Sequence, residues 1–473
     1  MTRTGAVQSF EARRAAGSAA RARLRPSRLG RWIPTADRPD PVALLHEQAR
    51  SRVQELVPVR YARMSVSPLA FYRGAAAVMA SDLASAAHSG IMVQLCGDAH
   101  LSNFGLFSTP ERHLTFDMND FDETLPGPFE WDVKRLAASF AVAARGRDFT
   151  DEETQKCVGA AVHGYRKGMK LAAESTVLDA WYDRLDAERA QRWLRQEQRK
   201  QHAGGAEVKR LDAVIRKAQK RDHRKAFAKL VRVVDGQLRI MSAPLILPVE
   251  NLIDEAGDPF DQVSTMRMLL ETYQTALLGA RHPIAEYRYR HMARKVVGVG
   301  SVGTRAWVIL LSGRDDDDPL LLQAKEAQAS VLERFLGPSE FDSHGERVVR
   351  GQRLMQASSD IFLGWQRVTG LDGVPRDFYV RQLQDGKGGI DPETMSAPGA
   401  ALYARLCGET LARAHARSGD RVEIAEYLGK GGEFDEAISA FAHAYADQND
   451  SDFHAFLAAL RSGRLPRALN DDE

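Results

Sequence analysis

Seven residues, Gly97-Asp98-Ala99-His100-Leu101-Ser102-Asn103, constrain this chain more than any other stretch. They place an Asp five residues ahead of an Asn, directly after an apolar run, Ile91 to Leu95, that reads as a short buried strand. A second stretch, Phe116-Asp117-Met118-Asn119-Asp120-Phe121-Asp122, adds carboxylates at the end of another apolar strand. Phosphoryl transfer from ATP needs such a set: a carboxylate to orient a hydroxyl, and an amide plus a carboxylate to hold Mg²⁺. The complementary parts, Gly298-Val299-Gly300-Ser301-Val302-Gly303 and Lys325, come far downstream. A fold that uses all of them must close over a long intervening segment.

Composition limits the setting. The 473 residues, 44% hydrophobic and 27% charged, fit a globular protein with two or three domains or one large two-lobed one. No apolar run reaches the length that spans a bilayer, so no membrane insertion is expected. Three scattered cysteines, Cys96, Cys157 and Cys407, argue against a disulfide framework or thiolate zinc site and fit the cytoplasm. Residues 1–31 carry eight arginines against one acid, Glu11, with no secretory apolar region. Residues 1–35 therefore read as a disordered basic arm.

Order is expected from Asp40-Pro41, and Ser67-Pro68 opens a helix through Phe71, Val78 and Leu83. Residues 36–145 hold the Asp–Asn loop, a hairpin turning at Thr109-Pro110, and a helix from Trp131. Residues 146–290 read as almost wholly helical. Fifteen Lys/Arg against four acids lie between Arg189 and Arg232, with Lys217, Arg221 and Lys225 on one face. That pattern suits a solvated helix face, and a nucleic-acid partner is not expected because no aromatic platform accompanies it. Residues 291–390 change texture to strands at Val296–Gly303, Ala306–Leu311, Leu320–Ala324 and Phe378–Leu383, interrupted by a helix at Glu346–Met355 and loosened at Gly386 to Gly389. Residues 391–473 return to helices.

Gly298, Gly300 and Gly303 sit between two strands, the arrangement in which backbone N–H groups cover phosphates, rather than opening a helix as in dinucleotide folds. Gly298, Gly300, Ser301 and Gly303 thus join Lys325 and Gln382 as a candidate nucleotide-binding set. Lys325 needs a carboxylate partner, with Glu346 the first choice, Glu333 the second and Glu326 the third. Asp98 is the candidate base and Asn103 a candidate metal ligand, with Asp120 the best second ligand and Asp117 or Asp122 as alternatives. His100 either touches phosphate or braces the loop.

The stretches Cys96–Gly105, Asn119–Glu123, Trp131–Leu136, Ser67-Pro68 with Phe71–Gly74, and Tyr379–Leu383 resemble the bacterial family called domain of unknown function 2252, over about residues 35–455. That family in turn resembles protein kinases and aminoglycoside phosphotransferases. The second resemblance implies Asp98 as base, Asn103 and Asp120 as metal ligands, and Asp132 as a support reaching the catalytic loop from the next helix. In one departure, Cys96 stands where those enzymes usually have His or Arg, which bears on loop bracing and catalytic rate. Leu406–His415 is similar to the helix that normally precedes the catalytic loop, with the helix at Phe71–Ala87 a competitor. The implied fold is α+β, two-lobed and kinase-like, circularly permuted, with a large helical lobe and a small antiparallel-sheet lobe. The implied activity is Mg²⁺-dependent transfer from ATP to an unidentified hydroxyl acceptor, against a non-catalytic nucleotide-binding regulator or an AMP transferase.

Overall fold

Helical periodicity governs both ends of the chain and strand periodicity part of its middle, and the computed structural model is accordingly α+β. The structure describes residues 8–199, 205–219, 223–252, 269, 272–274, 277, 282–296, 298–369, 373–383 and 394–467. Helices α1 (Phe10–Arg23), α2 (Pro41–Ala49), α3 (Val57–Met64), α4 (Pro68–Gly74) and α5 (Ala76–Ala84) come before β1 (Met92–Leu95). Strands β2 (Phe104–Ser108), β3 (Leu114–Met118) and β4 (Leu125–Pro128) lead into α6 (Glu130–Arg145) and α7 (Asp151–Glu174). After a two-residue β5 (Leu185–Asp186) and further helices comes the hairpin of β6 (Val231–Val234) and β7 (Gln237–Ile240). Strands β8 (Ile246–Pro248), β9 (Arg288–Lys295), β10 (Ala306–Ser312) and β11 (Pro319–Ala327) follow. Helix α8 (His344–Met355) separates these from β12 (Gly364–Thr369) and β13 (Pro375–Gln382). The chain closes with α9 (Ala397–Ser418), α10 (Arg421–Leu428) and α11 (Glu433–Arg461).

Six strands pair antiparallel in the order β12-β13-β11-β10-β9-β8. Strand β11 is central and buried along its whole length. Alternation sends Leu320, Leu322 and Ala324 to one apolar face, with Phe378 and Val380 of β13. The opposite face carries Leu321, packed with Val308, Leu310 and the helix at His223–Leu230, and by the same alternation Gln323 and Lys325. The largest core lies in the helical body, where Leu95, Phe129, Leu136, Tyr165, Leu411 and Phe441 are buried together. A second core joins α2–α5 to the end of α11 through Tyr61, Phe71, Val78 and Phe456.

Several expectations need correction. The N-terminal segment is not a disordered arm from residue 10 onward: α1 is capped by Ser9, and Arg13 and Arg14 pair with Asp420 and Glu426 of α10. These two arginines thus have carboxylate partners about four hundred residues away, which leave no local trace in sequence. Residues 146–290 are not wholly helical either, because Asp235 and Gly236 both take positive φ and turn the β6–β7 hairpin. An Asp-Gly pair after the β-branched Val233-Val234 is a hairpin signal that helical periodicity had masked. The strand expected at Val296–Gly303 ends earlier, at Lys295, and the glycines form the connection itself. The helix expected across Phe71–Ala87 breaks at Ala75 (φ −110°, ψ 33°), where the Gly74 carbonyl is diverted to accept from Arg60 Nη2 at 2.7 Å. The side chains of Lys217, Arg221 and Lys225 and the stretch Gly386 to Gly389 lie outside the described residues. Among the described residues no helix is long and apolar enough to cross a membrane.

Helix α9 passes beneath the Asp–Asn loop. Tyr403 donates its hydroxyl to the Leu101 and Phe104 carbonyls at 2.8 and 3.1 Å, and Gly419, just past its end, lies against Val93 and Met92 of β1. The competing α4–α5 pair sits on the flank, where Tyr72 donates to the Arg135 carbonyl of α6 at 2.8 Å. Because α9 fills the centre of the main core, deleting residues 396–473 is expected to abolish cooperative thermal unfolding. A truncated chain that still melts in one sharp transition would contradict this packing.

Candidate active site

The Asp–Asn loop is shaped from below. Gly97 takes φ +82°, and a Cβ there would collide with the Glu123 carbonyl, so only glycine lets the chain turn off β1 at this point. The first turn of α6 then grips the loop through two residues at i, i+3. Asp132 accepts from the Cys96 and Gly97 N–H groups at 2.6 and 3.0 Å, and one turn on Arg135 places Nη2 and Nε 2.8 and 2.9 Å from Asp98 Oδ1. Asp132 is itself held by His415 Nε2 at 3.2 Å, whose other ring nitrogen meets Tyr165 Oη at 2.9 Å. Arg135 lies 4.0 Å over the Tyr72 ring, so its position is fixed from both sides.

Both Arg135 contacts fall on one oxygen of Asp98, and Oδ2 stands 3.8 Å from His100 Nε2. Burial raises the Asp98 carboxyl above its ordinary value, although Arg135 opposes the shift. Burial, with Arg73 and Arg135, holds His100 well below its usual range, so the ring is neutral. Its Nδ1 accepts from the Ser102 N–H at 3.1 Å, which leaves the proton on Nε2, the nitrogen nearer Asp98.

Asn103 requires a correction. Expected as a metal ligand, it spends its amide on the backbone: Oδ1 accepts from Asp120 N at 2.7 Å and Asn119 N at 3.3 Å. Its Nδ2 donates to the Asp120 and Asp98 carbonyls at 2.9 and 3.1 Å. Turning Oδ1 to a metal would strand two N–H groups in a buried site. Cys96, the unusual residue of the loop, joins the same clamp, its Sγ meeting the Asp120 carbonyl at 3.2 Å.

Lys325 brings the sheet to this loop. Its Nζ lies 2.7 Å from Asp122 Oδ2 and 3.4 Å from Asp120 Oδ1, while Tyr379, directly opposite it on β13, donates to Asp122 Oδ1 at 2.6 Å. Burial alone would raise the Asp122 carboxyl, but Lys325 and Tyr379 bring it down to about 2. The lysine is held well above its ordinary value against burial by Asp120 and Asp122. Its partner is therefore not Glu346, which pairs with Arg350 at 3.2 Å on α8. Glu333 faces Arg347 and Glu326 faces Arg305, so neither alternative reaches the lysine. Asp117 points away, towards Arg417 of α9 at 3.9 Å.

The Gly connection folds down over these acids, with Ser301 Oγ 3.4 Å from Asp122 Oδ2. Arg52 and Arg63 hold it through the Val302 and Gly298 carbonyls. A cleft of about 1070 Å³ results, lined by Asp98, His100, Asp120, Asp122, Gly300 and Ser301 among others. A second cavity of about 320 Å³ shares Asp120, Gly298 and Ser301 and adds Lys325, Gln382 and Leu383. Gly303 packs against Arg52 and accepts from Val53 N at 2.8 Å, which ties the end of the Gly connection to the loop after α2.

Sequence reasoning missed Arg135, Tyr379 and Glu123. The first was recoverable from helical spacing, three residues after Asp132. The second was recoverable from strand alternation with Arg381, whose Nη1 donates to the Asn119 carbonyl at 2.8 Å. Among the described residues no group of three His, Cys, Asp or Glu side chains could alone hold a metal ion.

A family model described as "uncharacterized protein conserved in bacteria (DUF2252)" matches residues 52–459, and the chain belongs to that family. No curated protein and no solved structure matches the chain.

Glu123 supplies a pH-dependent test of the site's burial. Burial raises its carboxyl to about 7, against the Val331 N–H and Arg347 that favour the charge. A carboxyl that binds its proton more tightly when folded stabilises the fold at low pH, and that contribution is lost as pH rises towards 7. Replacing Glu123 by Gln, which keeps an acceptor for Val331 N at 2.7 Å, should raise the melting temperature by a few degrees at pH 8 and leave it unchanged at pH 5. An equal shift at both values would show that Glu123 ionises normally.

Proposed function

We propose that this member of the DUF2252 family is a Mg²⁺-dependent phosphotransferase that moves the γ-phosphoryl group of ATP to a hydroxyl acceptor, on a permuted kinase-like arrangement. The observation that carries the reading is the meeting of Lys325, Asp120 and Asp122 beneath the Gly connection, beside a half-buried Asp98. Four sequence elements that phosphoryl transfer requires line two adjoining cavities although more than two hundred residues separate the first from the last.

In this reading adenosine occupies the smaller cavity, against Gln382 and Leu383, and the triphosphate runs under the glycines past Lys325 towards Asp98. The acceptor oxygen attacks the γ-phosphorus; a new O–P bond forms, and the bond to the β–γ bridging oxygen breaks with its electron pair leaving on ADP. The hydroxyl proton passes to Asp98 Oδ2, the oxygen that Arg135 leaves free. Arg135 and Asp132 hold this carboxylate in place, so little reorganisation accompanies the step. Asp120, 43% exposed at the seam of the two cavities, fits a Mg²⁺ ligand, whereas Asn103 does not. Bound there, Mg²⁺ would neutralise phosphate charge, with water and phosphate oxygens completing its shell.

A second reading, a nucleotide-binding regulator without turnover, draws on one observation: the Asn103 amide is fully engaged by backbone. Turnover of ATP labelled at the α or γ position separates the possibilities. The wild-type chain should release or transfer the γ label only, and Asp98→Asn should slow this by about a hundredfold or more, the usual weight of a general base. Asp98→Asn with undiminished turnover would remove the base assignment, α-label transfer would favour AMP transfer, and binding without turnover would favour the regulator.

A further inference from the structure

The cleft has a wall of which the nucleotide reading uses only Arg52, as a brace for the Gly connection. Helices α3 and α4 present Arg60 and Arg73 to it, and Arg52 joins them from the loop after α2. Arg60 is completely buried. Its Nη2 donates to the Gly74 carbonyl and to Gln48 Oε1 at 2.7 and 2.9 Å, but Nε and Nη1 have no hydrogen-bond partner among the described residues. Arg52, 8% exposed, uses Nη1 on the Val302 carbonyl and leaves Nε without one. Buried guanidinium N–H groups left unsatisfied cost free energy unless a ligand completes them. Arg73 belongs to the Phe71-Tyr72-Arg73-Gly74 stretch singled out in the sequence, and its charge acts on both Asp98 and His100. Glu123 acts on Arg60, and burial raises its carboxyl to about 7, so that it carries only part of a charge near neutrality. A positive wall therefore lines the cleft that holds the carboxylate assigned as base.

We infer that Arg52, Arg60 and Arg73 form an anion subsite that receives a phosphate group of the acceptor, so that the hydroxyl delivered to Asp98 belongs to a small phosphorylated molecule. This inference rests on the phosphotransferase reading. Guanidinium forks match phosphate oxygens in geometry and charge, and three of them would outweigh what a neutral hydroxyl compound or a serine side chain needs. The subsite also explains why the base is held by Arg135: an acceptor that brings its own negative charge is kept at the cleft wall and does not compete for that arginine.

Inorganic phosphate is the probe. Full-length protein should gain thermal stability with phosphate, saturably and in the millimolar range, and the gain should add to that from ATP·Mg²⁺. Arg73→Gln should abolish the phosphate shift and keep the ATP·Mg²⁺ shift, Arg73→Lys should restore part of it, and Lys325→Met should show the opposite pattern. Arg73 lies at the end of a short helix and is partly exposed, so its replacement spares the core; chloride at equal ionic strength controls for salt. A phosphate shift that survives Arg73→Gln, or none in the wild type, would overturn the subsite even if ATP binds. A phosphate shift that ATP·Mg²⁺ abolishes would overturn the acceptor assignment, because the wall would then serve the nucleotide. Loss of the ATP·Mg²⁺ shift alone would count against the phosphotransferase reading and leave the anion subsite standing.

Discussion

The contact between Lys325 and Asp122 determines how the halves of this protein meet. An ammonium buried near the end of a buried strand is costly unless a carboxylate reaches it, and here the carboxylate comes from a loop 203 residues earlier in the chain. Tyr379 closes the other oxygen of Asp122, and Arg381, two residues on along the same strand, holds the carbonyl of Asn119. Arg347 of α8, 1% exposed, adds bonds to the Asp122 and Thr124 carbonyls. The sheet and the segment after β3 are thus joined through charged and polar groups, which fixes their register more sharply than apolar packing would.

On the other side of the seam, helix α6 performs the matching task. Asp132 and Arg135, one turn apart, hold the backbone and then the side chain of the loop that carries Asp98, and His415 of α9 holds Asp132 in turn. The chain of contacts from α9 through α6 to Asp98 spans residues that are neighbours only in the folded state. It accounts for a loop whose carboxylate is presented by two rigid helices instead of by its own flexible backbone.

Much of this was legible in the sequence. The Asp–Asn loop, the acids after β3 and the lysine of β11 carry unusual residue types at strand ends, where local pattern and chemistry coincide. What escaped were partners set by tertiary structure. Glu346 has suitable helical placement for pairing with Lys325, but α8 turns it outward to Arg350 while Asp120 and Asp122 lie closer. Asn103 has the residue type of a metal ligand, yet nothing local reveals that its amide will be saturated by the backbone at residues 119 and 120. The arginines of α1 resemble a solvated arm because their acids lie in α10. In contrast, the Asp235-Gly236 hairpin was recoverable, and a helix reading of that segment gave too little weight to a two-residue turn signal.

The proposed nucleotide site lies at the seam between β11 and the acids after β3, where Lys325 pairs with Asp120 and Asp122. Calorimetric titration of the full chain with ATP tests it most directly, performed with and without Mg²⁺ and repeated on Lys325→Met. The account predicts one site per chain, binding that requires Mg²⁺, and its loss in the lysine variant under conditions where that variant still melts cooperatively. Equal binding by wild type and variant, or no binding by a folded wild-type chain with Mg²⁺ present, would contradict it.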